Sequence, residues 1–425
     1  MGVLLLLIVF ILGTEGFGFS STTLGINIST PIGTIEIGQI LLIIVLLICF
    51  IRSKRRKINI KESVLFPIIF LILFIFFQFF RNIAAGLNVQ LALRGIKRIY
   101  MIFYIFPLII LIKNRSQLQK FINYILLIGF ISALVAIYQF LLGTSFGASK
   151  AAGIGGGFSR IYHPGAVLMA FCFFISLSHF LIFGIRKKYY WMYVLIPFYL
   201  IGVIVTLHRN LIGATLFTIV LIIAVELLSK GKINLLWKPI FGGIILFLIL
   251  SNILQKSGFG MEQLLLRGRS AIIEIKYFEG NYAGRWEILS DTFSRIIKES
   301  PLIGKGYQYE YVANILGTYY ITNDSTYSNI LVLFGLIGII VWLILMYKIA
   351  ILSLRMYINT LKLSDKALYL TILVMPIFFT IIGFFSAIII YSANLTVLIT
   401  IIGILYLLIY FQKQPQIVVN TIEPT

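Results

Sequence analysis

The chain has 425 residues, of which 60% are hydrophobic and 12% charged, with a formal net charge of +21 and a mean hydropathy of +1.03. So apolar a composition excludes a soluble globular protein, which carries about 25% charged residues. The two cysteines, Cys49 and Cys172, lie inside apolar runs, so neither a disulfide framework nor a thiolate metal site is on offer.

A bilayer is crossed by about 20 mostly apolar residues, and about twelve segments of the chain qualify. The expectation is an all-α, polytopic integral membrane protein. The first segment, "MGVLLLLIVFILG", lacks a basic n-region and a small-residue cleavage site, and reads as a helix rather than a removed signal. The others start near Ile35, Val64, Ile99, Phe121, His163, Tyr189, Leu211, Pro239, Ser325, Ala367 and Ala393. Residues 1–254 then hold helices 1 to 9, residues 255–324 form one long external loop, residues 325–411 hold helices 10 to 12, and residues 412–425 form a tail. No repeat at a fixed period is evident.

Basic residues in short loops favour the cytoplasm. The run "RSKRRKINIK" after the second segment is the strongest such signal. Placing it inside also places inside "KNRSQLQK", the basic residues at 186–188, "KGK" at 230–232 and "LRMYINTLKLSDK", with both termini cytoplasmic. Outside fall "RNIAAGLNVQLALRGIKR", the turn around His208 and Arg209, and the loop of about 70 residues before Ser325.

Arg81, Arg94, Lys97 and Arg98 therefore lie outside, against the topogenic bias and without an acidic neighbour in their segment. Long cationic side chains can snorkel to lipid phosphates. A shared external anion accounts for them together with Arg160, Arg209, Arg285 and Arg295, because guanidinium forks match phosphate oxygens bidentately. Arg94, Lys97 and Arg98 would then steer an anionic donor towards the surface. The glycine-rich "GASKAAGIGGGFSR" lacks the G-K-[ST] ending of a phosphate loop and reads as a mobile external loop with Arg160 as its contact.

Within the long loop, Trp286, Leu289, Phe293, Ile296 and Ile297 recur on one helical face, and Ser300, Pro301 and Gly304 end that helix. The pattern puts Arg285 at its first turn, where free N–H groups and the helix dipole favour an anion. Asp324, just before Ser325, Thr326 and Tyr327, reads either as the N-cap of the tenth helix or as a base for an attacking hydroxyl, and the two roles can coexist. The histidines His163, His179 and His208 are scattered, and no paired-carboxylate or HExxH cluster demands a metal. His179, in mid-segment, reads as packed in the bundle, whereas His208 abuts Arg209 and reads as a substrate contact.

The order "VTLHRNLIGA", "GRW", "SPLIGKG" and a polar box before "YSNILVLFGLIGI", with an earlier "GGFSRIYHPGAVLMA", resembles the O-antigen ligase and polymerase superfamily of bacterial envelope glycan assembly. The likeness is fullest in the second half of the chain. It implies a metal-independent inverting glycosyltransferase in the cytoplasmic (inner) membrane, acting on undecaprenyl-pyrophosphate-linked oligosaccharide at the outer face. No cofactor and no nucleic acid partner are implied, and a chain-length regulator or flippase would be the protein partners. The family's two important arginines map onto Arg209 and Arg285. Ligases carry a His-Asn pair where this chain has Asp324 and Ser325, so the polymerase branch fits better and the ligase branch is the runner-up. A transporter for a lipid-linked glycan is the reading of another class; against it, no ionisable residue marks mid-bilayer, Glu226 lying near the cytoplasmic end.

Overall fold

The computed structural model of the chain describes residues 28–30, 33–35, 37–53, 64–142, 150–155, 158–230, 273, 276–277, 280–306, 325–385 and 392–413. Asp324 and the candidate segments starting near Met1 and Pro239 lie outside the described residues, as do the side chains of Arg94, Lys97, Arg98, Arg160 and Arg285.

The protein is built on helices. In chain order they are α1 (Ile37–Ser53), α2 (Leu65–Ala84), α3 (Val89–Ile99), a 3-10 turn (Tyr100–Tyr104) running into α4 (Ile105–Leu111), α5 (Arg115–Leu142), α6 (Ala166–Phe183), α7 (Tyr190–Val205), α8 (Arg209–Lys230), α9 (Gly280–Glu299), α10 (Thr326–Asn359), α11 (Leu363–Phe385) and α12 (Ser392–Lys413). Among the described residues eight helices are long and apolar enough to cross a membrane, and the apolar stretches Gln39–Ile51 and Tyr100–Leu111 are shorter. The stretch expected to span from Ile99 is thus a 3-10 turn followed by a seven-residue helix.

Two antiparallel hairpins complete the described chain: β1 (Ile28–Thr30) with β2 (Gly33–Ile35), and β3 (Lys150–Gly155) with β4 (Phe158–Tyr162). The second lies in the stretch expected as a glycine-rich loop, where residues 150–155 and 158–162 are instead paired strands. Its strands pair in register, Ala152 opposite Arg160, with an irregularity between Gly153 and Gly155. Backbone pairing sets the conformation of this small-residue stretch.

The core is centred on α6 and α12, whose residues are buried almost without interruption. Small residues let their neighbours close in: a Cβ on Gly202 of α7 would stand 3.0 Å from the Ala133 backbone of α5. Tyr199 of α7 donates to the Leu126 carbonyl of α5 at 2.8 Å, and Thr371 of α11 lies 3.0 Å from the Ser178 hydroxyl of α6. The large residues left exposed, such as Phe66, Leu73 and Phe80 of α2, form the face such a helix would offer to lipid.

One helix is broken. In α10, Gly335 adopts φ 63 and ψ −158, which interrupts the i to i−4 ladder and frees backbone groups deep in an apolar region. A turn after α9 repairs the gap. Leu336 N–H donates to the Pro301 carbonyl at 2.9 Å, Ile337 N–H to Leu302 at 3.1 Å, and Lys305 N–H to the freed Val332 carbonyl at 2.7 Å. The turn is gripped from behind by α2: Gln78 donates to the Ile303 carbonyl, Arg81 Nη2 to Gly304 O at 2.8 Å and Asn82 Nδ2 to Lys305 O at 3.2 Å. Each such group left bare in hydrocarbon would cost several kcal/mol, so break and plug stand or fall together.

This docking generates a prediction. A Cβ at Gly335 would sit 2.5 Å from Gly304 N in a left-handed backbone, so Gly335→Ala should cost about 2 kcal/mol or more. Gly213 of α8 has nothing within 4 Å of its would-be Cβ, and Gly213→Ala should be neutral or stabilise by up to about 1 kcal/mol. Thermal unfolding of both variants in the same detergent gives the comparison; equal melting temperatures would remove the break from the stability argument.

Candidate functional site

The bundle has two polar ends, and hydrogen bonds assign residues to each. Tyr357, in the last turns of α10, donates to Glu226 Oε2 at 2.6 Å, near the end of α8. These two helices therefore run in the same direction, and their first turns, at Arg209 and Thr326, share the opposite end. Helix α11 packs along both. At that opposite end Ser325 donates to the Gly383 carbonyl of α11 at 3.4 Å and Tyr327 to Thr380 at 3.3 Å, with the Tyr327 and Phe384 rings 4.7 Å apart.

Arg209 is the first residue of α8. The turn before it is tight: Thr206 Oγ1 donates to Val203 O at 2.7 Å, Leu207 N–H to Ile204 O at 3.0 Å, and Leu207 is buried with φ 54. A branched residue held in the left-handed region costs on the order of 1–3 kcal/mol, and such strain persists only where the surroundings impose it. The His208 carbonyl accepts the N–H of Ile212 at 2.9 Å, the first bond of the helix ladder. His208 and Arg209 are both half-buried. Arg209 thus stands in the first turn of a helix, at the positive end of its dipole, an arrangement that favours an anion such as phosphate.

For Arg285 the expectation of a first-turn position is corrected. Helix α9 begins at Gly280, so Arg285 falls in its second turn. The apolar face is also narrower than the spacing implied: Ile296 and Thr292 are buried and Leu289 half-buried, while Trp286, Phe293 and Ile297 are exposed. Ile296 packs on Leu331 and Val332 of α10, which ties the helix carrying Arg285 to the first half of the helix that follows Asp324. Arg295 pairs with Asp291 one turn earlier at 3.1 Å, and Lys305 pairs with Glu299, so not all cations of this region are uncompensated.

The cap of α10 falls on Ser325, whose backbone is extended, at φ −102 and ψ 130. Asp324 precedes the cap position, which corrects its reading as the N-cap. Ser325 forms no side-chain cap bond; its hydroxyl crosses to α11, and its carbonyl accepts Asn329 Nδ2 at 2.8 Å. Ser325, Thr326, Ser328 and Asn329 are all buried, so the polar box fastens helix to helix.

Arg81 is part of the grip on the turn 303–305, together with Gln78 and Asn82, which the sequence reading passed over. The signal was present in "FFQFFRN": three polar residues at i, i+3 and i+4 within a phenylalanine run mark one polar stripe. Arg94, Lys97 and Arg98 lie on α3, at the same relative spacing, directly after the end of α2 that holds Arg81. His163 is buried, its Nδ1 accepts the Gly165 N–H at 3.0 Å, and burial pushes it down to about 4, so it adds no positive charge at neutral pH. His179 is buried against Phe183 and Tyr189 with its Nδ1 3.2 Å from Ile175 O, a packed core residue. Among the described residues no three His, Cys, Asp or Glu side chains converge as metal ligands would.

Because Arg81 bonds a buried carbonyl, Arg81→Ala should lower stability by about 1.5–3 kcal/mol, the range for bonds to charged groups. Thermal melts of the purified protein check this; an unchanged melting temperature would return Arg81 to a purely external role. No protein-family model matches the chain, and no curated protein matches it.

Proposed function

We propose that the protein is an inverting glycosyltransferase that polymerises undecaprenyl-pyrophosphate-linked oligosaccharide repeat units at the outer face of the bacterial cytoplasmic membrane. The observation that carries the reading is the shared end of α8 and α10. Arg209, in the first turn of α8 at the positive end of the helix dipole, and Ser325, the neighbour of Asp324, open two helices that both pack on α11. The helix bearing Arg285 is fastened to the second of them through Ile296. The positive-inside bias turns this end outward, since Arg115, Lys188 and Lys362 belong to the basic loops at the other.

The chemistry divides between the two charges. An acceptor sugar hydroxyl attacks the anomeric carbon of the donor, a new glycosidic bond forms, and the bond to the pyrophosphate oxygen breaks with inversion. Asp324 takes the hydroxyl proton. Arg209 and Arg285 stabilise the charge growing on the departing pyrophosphate, a contribution often worth about 3 kcal/mol per well-placed donor. Arg94, Lys97 and Arg98 raise the local concentration of the anionic donor at the same surface. The broken helix gives the transporter reading no support: transporters use freed backbone groups to hold substrate, and those around Gly335 are bonded to residues 301–305.

The deciding experiment incubates the purified protein with a defined lipid-pyrophosphate oligosaccharide and resolves the products by size. A ladder of repeats supports the polymerase; a single transfer to a separate acceptor lipid replaces it with a ligase; unchanged substrate removes the enzyme reading. Arg209→Ala and Arg285→Ala should each cost turnover by about two orders of magnitude or more, with Lys rescuing only in part because a point charge loses the bidentate fork. Wild-type turnover in both Ala variants would sink the pyrophosphate assignment. For Asp324, the cap at Ser325 sharpens the test. Both Asp324→Asn and Asp324→Ala should leave stability within about 1 kcal/mol while abolishing most transfer. Paired melting and transfer assays check this, and full activity in the Asn variant would leave the acceptor without its base.

A further inference from the structure

At the end of the bundle away from Arg209, the first three turns of α5, the 3-10 turn Lys187–Tyr189 with the start of α7, and the junction of α10 and α11 enclose an open cleft of about 470 Å³. Three cationic side chains line it, Arg115, Lys188 and Lys362, with Gln119, Asn123 and Trp191 among the remaining walls. The carboxylate in contact is Asp365, buried and ion-paired to Arg115. That pair fixes the position of Arg115 and leaves the two lysines as excess positive charge. Their placement is not incidental to a flexible surface. The Lys362 carbonyl accepts the N–H groups of Asp365 and Lys366, each at 3.0 Å, which locks its turn, and Lys188 Nζ lies 5.6 Å above the Tyr189 ring.

Burial, and then the neighbouring charges of Arg115 and Lys188, push the Lys362 ammonium down from its usual value, so an anion arriving in the cleft relieves a repulsion already present. Asn123 Oδ1 accepts from Gln119 Nε2 at 3.2 Å, which orients the Asn123 amide with its N–H groups available as donors. Tyr190 and Trp191 are exposed on the rim, and aromatic residues in such positions mark the headgroup level of a bilayer.

We infer that this cleft binds the phosphate of an anionic membrane lipid headgroup from the leaflet on its own side. Three features select this ligand: converging cations with one compensating carboxylate among the described residues, a volume suited to a phosphate and its glycerol, and a mouth beside membrane-level aromatics. A soluble phosphate shares the charge chemistry but makes no use of the rim. The site lies at the opposite end from the proposed glycosyl transfer and is independent of it.

The test uses the full-length protein, delipidated in an uncharged detergent, titrated separately with phosphatidylglycerol, phosphatidylcholine and inorganic phosphate while its melting temperature is followed. Phosphatidylglycerol should raise it by about 3 °C or more at saturation, and the shift should shrink at least by half in the Lys188→Gln, Lys362→Gln double variant. An equal shift with phosphatidylcholine, or an undiminished one in the variant, overturns the site. An equal shift with inorganic phosphate that also blocks the lipid effect overturns the lipid as its occupant. Should the double variant fail to purify, native mass spectrometry decides between wild type and Lys362→Gln alone. Phosphatidylglycerol adducts retained over phosphatidylcholine in the former and reduced in the latter support the assignment, and equal retention overturns it.

Discussion

A peptide group has no partner in hydrocarbon except another group of the protein, and the break at Gly335 turns that constraint into architecture. Freed from its own helix, the backbone of α10 is completed by residues 301–305, which arrive from the end of α9 and are held by Gln78, Arg81 and Asn82 of α2. Gly304 and Gly335 approach so closely that a Cβ on either would meet the other's backbone N within 2.6 Å. Three elements far apart in sequence thus meet at one point. Without the turn the helix would carry bare carbonyl and N–H groups, and without the break the turn would have nothing to bond.

The position of this knot determines what surrounds it. Because α9 leads directly into the turn, its buried residue Ile296 is carried onto Leu331 and Val332, and the rest of that helix follows. Because α2 supplies the grip, the cationic α3 that follows it starts from the same end of the bundle. The opposite end is secured by side chains instead: Arg115 with Asp365, Tyr357 with Glu226, and Gln412 Nε2 with the Thr360 hydroxyl at 2.9 Å. A charge or amide buried there would be costly alone, and each is paired across two helices. Backbone satisfaction sets one end, side-chain satisfaction the other.

The proposed chemistry sits where these constraints leave polarity unspent. Arg209 opens α8 after a strained turn at Leu207, so its guanidinium belongs to the positive end of that helix. The polar residues after Asp324 are used up in joining α10 to α11, which separates the structural work of Ser325 and Asn329 from any chemical work of the carboxylate before them. Arg81 shows the reverse economy of means, since one of its N–H groups holds Gly304 and the guanidinium fork has more than one to offer.

The sequence by itself determined the helical, membrane-type class of the protein and the eight long apolar helices among the described residues. These are legible because hydropathy is a local property, summed over one helix at a time; Arg115, Lys188 and Lys362, assigned to one side from three separate loops, do line a single cleft. It also marked the end of α9, through Ser300, Pro301 and Gly304. Only the tertiary structure decided that α10 is broken, that its cap position falls on Ser325, that Arg285 lies past the first turn of its helix, and that Arg81 holds a carbonyl 223 positions away. Nothing along the chain encodes such partners directly. In a low-dielectric interior the group that satisfies a polar atom is whichever one the packing of distant segments brings within about 3 Å, and that is a property of the assembled bundle.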